Sequence, residues 1–141
     1  MQGTIRYFSK DDRDKLEDFI RKITTNTAEA HGCEATLEFQ DIFAPTINHE
    51  KQTEIVKLIA KSELGENSVN DSTGLPVMGS EDFSFYMNLI PGCFFFVNTI
   101  QEGKPALSLH DSNYQFNDRI ISTGAYMYVK ILEHRLGISV L

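Results

Sequence analysis

Apolar positions along the chain follow two periods, and the switches between them mark the predicted elements. The stretch 3–8 (GTIRYF) alternates, with Thr4, Arg6 and Phe8 on one face and Ile5 and Tyr7 on the other, which predicts a short strand. Ser9 and Asp12 form a capping-box pattern, and Leu16, Phe19, Ile20, Ile23, Thr27 and Ala30 then recur at helical spacing. Gly32 is placed to end that helix, after which Leu37 and Phe39 alternate against Thr36 and Glu38. The order is strand, helix, strand. From Gln40 to His49 no useful period persists, and Pro45 biases the backbone to extended conformations, so the chain is expected to cross here between two bodies.

A second helix is expected from about Glu50 to Glu63, carrying Ile55, Val56, Leu58 and Ile59, with Asn48 or His49 near its cap and Gly65 at its end. Residues 66–79 are turn-rich. Ser80 is then placed to cap a short helix through Phe83, Tyr86, Met87 and Leu89, closed by Pro91 and Gly92. The stretch 93–99 (CFFFVNT) is the strongest predicted strand; three consecutive phenylalanines without strict alternation imply burial on both faces. A turn is expected over 101–105. The last helix should start near Asp118 or Ser122 and reach about Leu136, with Ile121, Ala125, Tyr128 and Ile131 or Leu132 on its apolar face. Neither body closes by itself: the first is small for a core, and the triple-Phe strand calls for more sheet than the second supplies.

Charge and cysteine content narrow the function classes. The 141 residues carry 20 acidic and 13 basic side chains, a net charge of -7, and no basic stripe, which argues against a nucleic-acid partner. The longest apolar run, 93–97, is far short of a membrane span, and the start MQGTIRYF lacks the basic-then-apolar order of a secretory signal. Cys33 and Cys93 fit no CxxC or zinc-knuckle spacing and read as reduced thiols in a cytoplasmic protein.

Few residues offer chemistry. His110, in LSLHDSNYQFND, supplies an imidazole suited to zinc, manganese or cobalt, and equally suits a surface turn. Glu81 and Asp82 stand at the start of a short helix, where carboxylates are favoured by unpaired amides whether or not they have another role. His31 reads as a helix C-terminal residue, and His49 and His134 as surface positions. No GxGxxG, GxxxxGKS or GxSxG pattern occurs.

Several of these stretches carry a likeness. GTIRYF, AHGCEATLEF, APTIN, GSEDFSFYMNLIPGCFFFV, LHDSNYQFND and GAYMYV, in that order, resemble the C-terminal half of the M20 metallopeptidase family. The nearest likeness is to its amidohydrolase branch, which includes N-acyl-amino-acid, hippurate and auxin-conjugate hydrolases. The resemblance implies an α/β chain with a partial two-domain architecture. Residues 1–40 would be the second βαβ half of a lid or dimerisation domain, 41–48 an interdomain linker, and 49–141 the C-terminal part of an αβα catalytic domain. It makes His110 a metal ligand, places Ser80, Glu81 and Asp82 beside the active cleft, and gives Asn48 a role in fixing the domain crossing. Ser112 and Asn113 depart from the family's LHxPxYxF-like pattern.

The HxCGHD-like motif, paired glutamates and further histidine that family members carry do not occur in these 141 residues. The resemblance therefore implies a C-terminal fragment of a metal-dependent amidohydrolase, inactive alone, whose complete form hydrolyses N-acyl amino acids with zinc, manganese or cobalt. The lone chain need bind no ion. Two other readings stay open here: a non-enzymatic dimerisation or interaction fragment, and one half of a split enzyme. The expected partners are a second copy through the lid domain, or a chain supplying the N-terminal half.

Overall fold

The computed structural model describes residues 1–70, 74–101 and 103–140. Its helices are α1 (Lys10–Ala30), α2 (Glu50–Leu64), α3 (Phe83–Met87) and α4 (Arg119–Leu136), with a 3₁₀ turn at Glu66–Ser68. Residues 71–73, within the expected turn-rich stretch, and residue 102, within the expected turn at 101–105, lie outside the described residues.

Local signals account for α1. The Ser9 hydroxyl accepts from Asp12 N at 3.1 Å and donates to Asp12 Oδ2 at 2.6 Å, so one side chain closes the first turn in both directions. At the other end Cys33 N reaches Ala28 O at 2.9 Å and Gly32 N reaches Glu29 O at 3.0 Å. This paired closure needs a left-handed residue, and Gly32 supplies it at φ 67°.

No strand forms among the described residues, which overturns the expected α/β architecture with its βαβ and αβα parts. The period-two pattern survives as alternating exposure. Ile5 and Tyr7 are half-buried between exposed Arg6 and Phe8, and Ala35, Leu37 and Phe39 are half-buried between exposed Thr36 and Glu38. Alternation decides which side chains are covered, whereas a strand also needs a neighbouring backbone at ladder spacing. These segments lack that ladder. In the triple-Phe stretch Phe94 and Phe95 are half-buried but Phe96 is 60% exposed, so the expected burial on both faces is incomplete.

The chain divides into two compact units. The first comprises Met1–Asn48 and Ser72–Gly92. Here α1 holds the segment after it through charge. Arg13 forks onto Asp41 at 3.1 and 3.0 Å, and Arg21 donates to Leu37 O at 3.2 Å while lying 4.7 Å over the Phe39 ring. Glu17 joins the two arginines at 2.8 and 2.7 Å. The Tyr7 hydroxyl donates to Phe43 O at 3.3 Å, and the Phe43 ring meets Phe85 at 6.0 Å. Met87 is buried in this unit, as is Ser84, whose hydroxyl has no hydrogen-bond partner among the described residues.

The second unit comprises His49–Asp71 and Cys93–Leu141. Helices α2 and α4 pack together, and each buries one apolar side chain, Ile59 and Met127. The Tyr126 hydroxyl donates to Glu63 Oε2 at 2.6 Å. That bond stabilises the protonated phenol and raises its pKa above the ordinary 10.0. The folded state holds the neutral form, so the contribution is complete below about pH 10 and is lost as pH rises through the raised pKa. An NMR titration of the Tyr126 ring should show a midpoint that falls in Glu63→Ala; an unmoved midpoint rules out Glu63 as the cause. Among the described residues no helix is long and apolar enough to cross a membrane.

Candidate functional site

His110 belongs to the second unit and is exposed. It sits in a turn closed by Asp111 N to Ser108 O at 2.9 Å, followed by another from Tyr114 N to Asp111 O at 3.0 Å. Asp111 Oδ1 accepts from Asn113 N at 2.8 Å, the side-chain turn that aspartate forms readily. Ser112 and Asn113 thus stand in a turn shaped by Asp111.

Ser80, Glu81 and Asp82 belong to the first unit. Ser80 does not cap α3, which begins at Phe83 behind Asp82 with no side-chain capping bond. Its hydroxyl instead accepts from Arg6 Nη1 at 3.2 Å, and the same nitrogen donates to Met78 O at 2.8 Å. Glu81 is half-buried and Asp82 exposed; their carbonyls accept from Ser84 N at 3.2 Å and Phe85 N at 3.0 Å. Asn48 is exposed and immediately precedes His49, the N-cap of α2.

Arg6, which the alternation only places on one face with Thr4 and Phe8, is joined by the structure to the GSEDF stretch. The available signal was its shared face with Thr4 and Phe8, which says nothing about a partner 74 residues away. A shallow recess of about 350 Å³ beside it is lined by Arg6, Phe8, Lys15, Leu16, Phe19 and Met78, among others. A larger one of about 520 Å³ lies between α2 and α4, against Ile55, Ile59, Glu63 and Glu133, and His110 does not line it.

Among the described residues, no group of three or more His, Cys, Asp or Glu side chains is arranged to hold a metal ion. The described donors therefore do not make up a metal cage. His110 presents its imidazole from an exposed turn closed by backbone bonds.

The chain belongs to peptidase family M20/M25/M40, whose model matches residues 4–134. The family generally works with divalent metal cofactors. IAA-amino acid hydrolase ILR1-like 4 of Arabidopsis thaliana is 33% identical over 135 residues, covering 92% of this chain and 30% of the relative. Thermostable carboxypeptidase 1 of Saccharolobus solfataricus is 30% identical, over 89% of this chain and 31% of the relative. Hippurate hydrolase of Campylobacter jejuni is 27% identical, over 91% and 32%. No solved structure matches.

The chain thus spans about 30% of the length of the curated relatives it matches. The family match nevertheless extends over nearly the whole of this chain rather than one portion of it. This corrects the expected recognition of a C-terminal portion only, together with the functional reading as a C-terminal fragment.

Proposed function

We propose that the protein is a metal-dependent amidohydrolase that cleaves the amide bond of N-acyl amino acids. The observation that carries this reading is the family match through residues 4–134, which includes His110 and its turn. Relatives named for hydrolysis of IAA-amino acids and of hippurate support an acylated amino acid as the substrate class. His110 is proposed as a metal ligand for zinc, manganese or cobalt, an imidazole being acceptable to all three. Ser80, Glu81 and Asp82 are proposed as residues of the cleft wall, and Asn48 as the residue that fixes the crossing between domains.

The same reading gives residues 1–40 the lid or dimerisation role, 41–48 the linker and 49–141 the catalytic-domain role. A homodimer through the lid is part of it, supported by Phe19 and Ile23 on α1, which are 59% and 65% exposed. Light scattering that finds only monomer at working concentrations would remove the dimer. A cytoplasmic location accords with the free thiols of Cys33 and Cys93.

The test is release of free amino acid from hippurate and from indole-acetyl amino acids by the purified protein. Added zinc, manganese or cobalt should support hydrolysis, and a chelator should abolish it. Absence of turnover with all three ions, or turnover indifferent to the chelator, overturns the proposal.

A further inference from the structure

Thr99 holds the segment that presents His110 at two points. Its hydroxyl lies 3.0 Å from the Tyr114 hydroxyl, and its carbonyl accepts from Asn117 Nδ2 at 3.4 Å, in part-buried surroundings. Asn117 Oδ1 also accepts from Arg119 N at 3.3 Å, so the anchor continues into the start of α4. The Tyr114 ring is braced edge-to-face on Phe116 at 5.1 Å. An exposed turn with only its own backbone bonds opens easily, whereas one tied back by side chains spends less time open.

We infer that Thr99 and Tyr114 are positioning residues, which act through the His110 turn by holding it to the end of the triple-Phe segment. This rests on the reading of His110 as a site residue. A donor on a flexible turn loses productive geometry, and small misplacements cost turnover more than binding. The Thr99–Tyr114 contact joins positions 15 apart, so neither residue type marks it in the sequence.

Thr99→Val keeps the side-chain shape without its hydroxyl, and Tyr114→Phe removes the other half of the same contact. Each should raise amide exchange at Asp111, Asn113 and Tyr114 by about three- to tenfold, with the interior of α4 unmoved. The double variant should do no more than either single one, because both delete one bond. Thr99→Ser should restore protection. In hydrolysis, kcat should fall while KM holds. Unchanged exchange, additive effects, or loss of protection throughout α4 overturns the inference. Exchange that behaves as stated, with hydrolysis indifferent to His110, leaves the clamp standing and removes His110 from the site instead.

Discussion

Replacing His110 by alanine is expected to lower metal-dependent hydrolysis by about 100-fold or more, since loss of a mere supporting partner of a ligand already costs about 10–100-fold. The fold should tolerate the change. His110 is exposed, and its turn is closed by backbone bonds and by the Asp111 side chain, so truncation removes little packing. Surface changes of this kind fall within about 0.5 kcal/mol of stability. A lost donor and a lost fold are therefore separable by measuring activity and thermal unfolding on one sample. His31→Ala, at the exposed C-cap of α1, provides the control for losing an imidazole elsewhere and should leave turnover unchanged. Equal hydrolysis by the His110 and His31 variants would remove His110 from the site. Asp111→Ala sharpens the comparison, because it frees the turn while keeping the imidazole.

What was legible in the sequence was local. The Ser9 and Gly32 signals bound α1 because each acts within five residues of its partner groups, and such contacts need no knowledge of the rest of the chain. The strands were misread for the opposite reason. A period of two records that side chains point alternately, and Ile5, Tyr7, Leu37 and Phe39 do so, but ladder partners come from elsewhere. Ser80 shows the same limit at the candidate site. Its position before a short helix suggested a cap, while Arg6, 74 residues away, takes its hydroxyl. Residue type was also a poor guide to burial here. Leu89 is 84% exposed and Phe116 79%, whereas the hydroxyl-bearing Ser84 is fully covered. His110 was found through the order of motifs around it; its isolated chemistry is that of any turn histidine.

The face of α4 gives the second large effect. Helical spacing alone favoured Ile121, Ala125 and Tyr128 as the inward row, yet Ile121 is 67% and Tyr128 63% exposed. The covered side chain is Met127, at 3%, with Ile120 and Ile131 half-buried near it in register, so of the expected face Ile131 is covered and its alternative Leu132, at 57%, is not. Both rows are apolar, so periodicity could not choose between them; packing against α2, which buries Ile59, decided it. Met127→Ala should therefore cost about 2–5 kcal/mol, the lost transfer energy plus the cavity that remains. Ile121→Ala on the same helix should cost no more than about 0.5 kcal/mol, as its side chain is already largely in water. Urea unfolding should show the Met127 variant with a lower midpoint at unchanged slope, since the native surface exposed on unfolding is nearly the same. If Ile121→Ala lowers the midpoint as far as Met127→Ala, the rotation of α4 about its axis is wrong. The bond from Tyr126 to Glu63 and the α2–α4 recess would then have to be reassigned with it.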